Sequence, residues 1–271
     1  MKDLFLIEWI KNRYSRTFWI YSILYLAVVL LALSLILTTI GQLAQITTYP
    51  AIWLSFPYLA SYLNIIVGLI IINSVSNEFL YRTFRQHVID GMSRISLLNS
   101  KYLYAIVLSI VASVLILLLI LVFGKSSPDV QRAFGDTGAL ANVDVGGPQN
   151  IAKLFLQLLG YSSMAILFGL LIKTPGLATG AYVVYILALE PLLRFIITYL
   201  SAGNIQDVMS STERSLASYL PMKSFDRVLV SNWSTNFNEI ITTDVTSIFV
   251  AIGYIVAIYF INYSLITKRD L

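Results

Sequence analysis

The sequence contains no cysteine and a single histidine, His87. Disulfide staples, thiolate metal sites, a cysteine nucleophile and a histidine-built metal site are thereby excluded. Charge is equally scarce. Only 12% of the 271 residues are Asp, Glu, Lys or Arg, against about 25% in a soluble domain. Hydrophobic types make up 58%, and mean hydropathy is +0.79. So little polar surface cannot cover a water-exposed globule. The shortages exclude an ordinary soluble enzyme, a disordered chain and a fibrous repeat, and they leave an integral membrane protein. In such a protein the net charge of +4 reflects lysine and arginine facing the cytoplasm rather than affinity for nucleic acid.

The charge-free stretches set the expected architecture. No charge occurs between Arg16 and Glu78, enough for two helical spans of ~20 residues each. Their turn is expected around Gly41–Pro50, where Gln42, Gln45, Thr47 and Thr48 gather. Span one is expected over Phe18–Ile40, span two over Trp53–Ser76 and span three over 102–124. Span four follows over 154–172, span five over Gly176–Ala202 and span six over 245–267. Alternating strands of ~10 residues, the mark of a membrane barrel, do not occur. The expected fold class is therefore an all-α integral membrane protein, with 1–271 forming one six-span domain. The 203–244 loop mixes apolar and polar residues, which predicts short amphipathic helices divided at Pro221.

The N-terminus does not read as a cleavable signal peptide. Asp3 and Glu8 interrupt it, and the basic cluster Lys11, Arg13, Arg16 follows the apolar run instead of preceding it. Phe5, Leu6, Trp9 and Ile10 share one side of a helix, with Glu8 and Lys11 opposite. Residues 1–16 are thus expected to form an interfacial helix, the alternative being the frayed start of span one. Six spans place both termini on one side. With that side cytoplasmic, Lys2, Lys11, Arg13, Arg16, Arg82, Arg85, Arg94, Lys101, Lys173, Lys268 and Arg269 lie inside. Lys125, Arg132, Lys153, Arg214, Lys223 and Arg227 lie in two long outer loops. That bias predicts cytoplasmic termini. Among the cytoplasmic segments, only 77–101 is large enough to engage a partner.

Catalytic motifs are missing. There is no Gly-x-x-x-x-Gly-Lys-Ser/Thr phosphate loop, no Gly-x-Ser-x-Gly and no His-Glu-x-x-His. An intramembrane hydrolase needs an acid, base or nucleophile at depth, and only Glu190 qualifies by type. Glu190 and Arg194 stand one turn apart on one helical face. One reading makes them pathway or gate residues. The other makes them a local ion pair where Pro191 breaks the helix. Ser61, Asn64 and Gly68 share a face of span two, and the stripe suits either close helix packing or the lining of a path.

The segment from Asn77 to Lys101 carries the one specific pattern. It reads as a helix leaving span two, a break at Gly91, and Ser93 capping the helix that becomes span three. Phe79, Tyr81, Phe84 and Val88 supply anchors beside Arg82 and Arg85, a composition suited to docking in a groove of another protein. The pattern Glu-x4-Thr-x-Arg-Gln-x4-Gly-x-Ser-Arg-x6-Lys runs through Glu78, Thr83, Arg85, Gln86, Gly91, Ser93, Arg94 and Lys101. It resembles the first cytoplasmic loop of the ABC-2 type permeases, the membrane subunits of one class of ATP-binding-cassette transporters. The N-terminal surface helix, the six expected spans, the long outer loop before the last span and the basic tail resemble that family too.

The resemblance implies a function. The loop would be a coupling helix seated in a cleft of an ATPase subunit, with Glu78, Arg82, Thr83, Phe84, Arg85, Gln86, Gly91, Ser93 and Arg94 as the coupling set. Two permease subunits, as a homodimer or with a close relative, would work with two ATPase subunits. ATP and Mg would sit on the ATPase, and this chain would bind no cofactor and catalyse nothing. Spans two and five would line the path or seam, through Tyr58, Ser61, Asn64, Gly68, Tyr185, Glu190 and Arg194. That weakly polar, aromatic lining suits export of an amphipathic or lipid-like cargo across a bacterial cytoplasmic membrane, among membrane lipids and without nucleic acid. Two alternatives stay open. One is an ABC-2-like subunit of a surface-assembly or cofactor-maturation machine, and the other is a polytopic lipid-modifying enzyme.

Overall fold

The computed structural model describes residues 2–39, 56–57, 60–81, 83–123, 149–202, 219–230 and 237–268. The described elements are helical throughout, with no strand among them. In chain order they are α1 (Lys2–Tyr14), α2 (Arg16–Thr39), α3 (Asn64–Leu80), α4 (Thr83–Ile89), α5 (Arg94–Phe123) and α6 (Gln149–Leu171). Then come α7 (Pro175–Val184), a π-helical turn (Tyr185–Leu189), α8 (Glu190–Ala202), α9 (Pro221–Val230) and α10 (Phe237–Lys268). Four apolar stretches are long enough to cross a membrane, and the number rises to six if α1 with α2 and α3 with α4 each count as one bent span. The expected turn at Gly41–Pro50 and the start of span two at Trp53 lie outside the described residues.

Helix α6 is the centre of the bundle. In its most apolar window 67% of residues are buried, against 33% for α5, 17% for α10 and 11% for Pro175–Leu200. A helix that is apolar all round belongs inside. Small residues let its neighbours approach closely. Gly169 faces Val75 and Ser76 of α3, a Cβ at Gly160 would lie 2.4 Å from the Phe225 ring, and one at Gly68 would lie 2.3 Å from the Tyr182 hydroxyl. Polar side chains join helices elsewhere. Tyr259 donates to Asn99 Oδ1 at 2.8 Å, and Asn262 donates to the Tyr102 hydroxyl at 2.7 Å, tying α10 to α5.

Three sequence expectations are corrected. Helix α1 lies at 78° to α2. Its polar side, however, faces protein: Glu8 and Asn12 are buried, whereas Leu6, Trp9 and Ile10 are exposed on the apolar outer surface. Span three starts earlier than expected, at Arg94, so Lys101 is buried within α5. Pro191 does not break span five. A proline cannot donate to the carbonyl one turn back, and the preceding π turn accommodates this, with the Glu190 N–H bonding Tyr185 O. The helix therefore runs from Pro175 to Leu200 as one candidate span.

Candidate functional site

At one end of the bundle the chain leaves α3 at Tyr81 and turns by 66° into α4. The stop of α4 is set by sequence. Gly91 has φ of 90°, where an L side chain is strained. Met92 N–H bonds His87 O at 3.0 Å and Gly91 N–H bonds Val88 O at 3.1 Å, the two hydrogen bonds of a Schellman motif. Ser93 Oγ accepts the Ser96 N–H at 3.2 Å and caps α5, as the sequence predicts. Arg94 donates to the carbonyls of Ile266 at 3.4 Å and Thr267 at 3.2 Å. It thereby places a cation at the negative end of α10.

Behind this short helix lies a buried ionic cluster. Lys101 Nζ stands 2.5 Å from Glu8 Oε1 and 2.5 Å from Glu78 Oε1. Lys11 bonds Glu78 Oε1 and reaches Glu8 Oε2 at 3.4 Å. The two cations and two carboxylates balance, which is what allows them to leave water. Beside them Asn12 Nδ2 donates to Ser74 Oγ at 3.0 Å and to Glu8 O at 2.9 Å. These bonds fasten α1 to α3 and α5 at the level where α4 departs.

The residues of the expected coupling set divide by placement. Glu78 is spent in the ionic cluster, Arg94 on α10, and Gly91 and Ser93 on shaping the turn. Phe84 is not the protruding anchor that the sequence suggests. It is buried and stacks on Phe79, ring centroids 5.0 Å apart. Thr83 is half-buried, with its hydroxyl 3.4 Å from Glu78 O. Arg85 and Gln86 are exposed, as are Tyr81 and Ile89 at 72% and 74%. Arg82 lies outside the described residues.

A second polar cluster, around Glu190 and Asp226, lies toward the other end. Between Gln157 and Gly169, α6 advances about 18 Å, so the two clusters are well separated. Glu190 does not pair with Arg194 as its main partner. Its carboxylate accepts the Met222 and Lys223 N–H groups at 3.2 and 2.8 Å, capping α9 from outside its own chain turn. Asp226 accepts from Gln157 Nε2 at 2.9 Å and from the Tyr161 hydroxyl at 2.8 Å. Pro221 opens α9 as its first residue, and Met222, Phe225, Val228 and Leu229 are buried. The expected loop helix is thus seated in the bundle. Asn64 and Gly68 face the interior of the chain, Ser61 and Tyr185 are half-buried, and Tyr58 lies outside the described residues. Among the described residues, no group of three His, Asp or Glu could hold a metal ion.

Burial raises the Asp226 carboxyl above its ordinary 3.8, against the opposing pull of the Tyr161 and Gln157 hydrogen bonds and of Lys223 and Arg194. The fold thus favours the protonated acid. Its contribution is full below the ordinary value and is lost as pH rises through the raised one. Asp226→Asn keeps an oxygen for Gln157 and Tyr161 and cannot ionise. Its thermal midpoint is therefore expected to match or exceed the parent's at neutral pH, and to lack the decline that the parent shows as pH rises above 3.8 and through the raised value. A decline of equal size in both proteins, measured by melting in detergent, removes Asp226 as its cause.

The described architecture is that of an all-helical protein with four to six candidate membrane-crossing helices. Residues 41–271 match a family described as "Protein of unknown function (DUF2705)", and the chain belongs to that family. No curated protein matches the chain.

The ionic cluster was not anticipated from sequence. Its signal was the stripe Glu8, Lys11, Asn12, a polar face on an otherwise apolar short helix. A solvated face and a face buried against other charges look alike until the partner is known, and Lys101 is 93 residues away from Glu8.

Proposed function

We propose that this chain is the permease subunit of an ABC-2 type exporter, with six spans, cytoplasmic termini and α4 as the coupling helix. It works in a bacterial cytoplasmic membrane, as a pair of permease subunits with two ATPase subunits that bind ATP and Mg. The observation that carries this reading is the mounting of α4. A short helix set across the bundle end is stopped by Gly91, stacked on Phe79 and backed by the Glu8–Lys11–Glu78–Lys101 cluster. A push on its exposed side would move α3, α5 and α1 together rather than bend a loop. Cargo is amphipathic or lipid-like, in keeping with the aromatic and weakly polar residues of spans two and five.

The seam between permease copies falls to span five. Leu187, Leu192, Phe195 and Leu200 are exposed there, whereas Asn64 of span two is enclosed within one chain. Cysteines at Leu187 should cross-link two copies, and cysteines at Asn64 should not.

The sidedness is tested by labelling intact cells with an impermeant thiol reagent. Single cysteines at Ser127 and Ser215, which lie outside the described residues, are expected to react, and one at Ser93 is not. Reaction at Ser93 alone would invert the topology and detach α4 from any cytoplasmic ATPase.

A further inference from the structure

An apolar cavity of about 280 Å³ opens at the elbow between α1 and α2. Its walls include Trp9 of α1, Trp19, Ile23 and Leu26 of α2, Val67 of α3 and Ala112 of α5. Trp19 Nε1 donates to Arg13 O at 2.8 Å, which closes the elbow above it. Tyr25 also lines the cavity, and its buried hydroxyl has no hydrogen-bond partner among the described residues. An unpartnered buried hydroxyl is costly to leave, and it marks a wall that the protein alone does not complete.

Charge identifies the occupant. Arg16, Trp19, Ile23 and Leu26 follow at helical spacing, so one stripe of α2 runs from a cation into the cavity wall. Arg13 and Arg16 are both exposed. Lys11 is engaged in the ionic cluster and does not contribute. The 78° bend at the elbow suits α1 to a membrane interface, the depth favoured by tryptophan. A phosphate outside and an aliphatic chain inside reproduce this order of groups. The volume lies just below the ~300–1,000 Å³ of pockets that enclose a drug-sized ligand, which suits one chain with its headgroup left outside.

We propose that the elbow cavity holds one acyl chain of an anionic phospholipid whose phosphate is met by Arg13 and Arg16. This site is separate from the path and from α4, and it does not rest on the transport reading.

The test is native mass spectrometry of the full chain, stripped of lipid in detergent and titrated with phosphatidylglycerol or phosphatidylcholine. One phosphatidylglycerol is expected to be retained in preference to phosphatidylcholine. Arg16→Gln should weaken it about fivefold, one cation's share of attraction to an anionic headgroup. Ser22→Trp, which fills the cavity from a half-exposed position, should abolish that adduct, and Ser22→Ala should retain it. Equal retention of the two lipids, or an adduct indifferent to both Arg16→Gln and Ser22→Trp, would overturn the proposal. Should Ser22→Trp not fold, brominated phosphatidylglycerol offers a second measurement with Trp53 and Trp233 replaced by phenylalanine. Fluorescence from Trp9 and Trp19 should be quenched more strongly than by brominated phosphatidylcholine. Equal quenching by the two lipids counts against the site.

Discussion

Lys101→Ala is expected to lower the unfolding midpoint of the detergent-purified protein by roughly 10 °C. Lys101 is the buried cation between Glu8 and Glu78, 2.5 Å from each. Without it the two carboxylates face one another, with only the partly exposed Lys11 in reach. Removing one partner from a buried ionic group costs about 3–5 kcal/mol, because buried charge is left behind without full compensation. In proteins of this size 1 kcal/mol moves the midpoint by about 2–4 °C. The lesion should also loosen α1, which the cluster holds to α3 and α5. A variant carrying Glu8→Gln, Glu78→Gln and Lys101→Met together removes every buried charge at once and should recover most of the loss. Thermal melting of the four proteins, with Lys101→Arg as an intermediate, checks the order. A midpoint within a degree or two of the parent for Lys101→Ala would mean that the cluster is solvated and does not brace the segment.

Arg85→Ala with Ile89→Ala is expected to weaken association with the ATPase subunit about thirty-fold while leaving the melting midpoint unchanged. The two side chains project from the exposed side of α4. Arginine and large apolar anchors commonly cost about 2 kcal/mol or more when truncated at an interface, and that is a factor of about thirty in affinity. Phe84→Ala acts differently. It empties the space against Phe79, so it should destabilise the fold by about 3–5 kcal/mol and disturb coupling only as a consequence. Lys268→Ala, at the end of α10, should do neither to the same degree. Co-purification of the proposed ATPase partner and melting of each variant separate the cases. Loss of association with Lys268→Ala but not with the α4 pair would move the docking surface to the C-terminal end.

How far the sequence foretold this arrangement differs from place to place. The long apolar helices were legible because a stretch of ~20 residues without charge has few other stable fates. The Gly91 stop and the Ser93 cap were legible because each depends on one residue type at one backbone position. Phe84 was misplaced because an aromatic residue beside arginine suits an interface and a local stack equally well, and only the turn at Tyr81 brings it onto Phe79. Glu190 was read as a gate or a partner of Arg194. Its bond to the start of α9 depends on a segment about thirty residues further on folding back into the bundle. Lys101 reads from sequence as a cytoplasmic cation, since neither its buried surroundings nor its distant partners leave a mark on its own neighbourhood.

The central claim is that α4 receives force from an ATP-hydrolysing subunit. It is tested most directly by a photo-crosslinking amino acid placed at Gln86, on the exposed side of α4, in intact cells. Leu187, exposed on the apolar side of span five, serves as the comparison position. The expected result is one dominant product from position 86, containing a protein with the Gly-x-x-x-x-Gly-Lys-Ser/Thr phosphate loop that this chain lacks, and no such product from position 187. Products from position 86 that contain only lipid or a second copy of this chain would contradict the account.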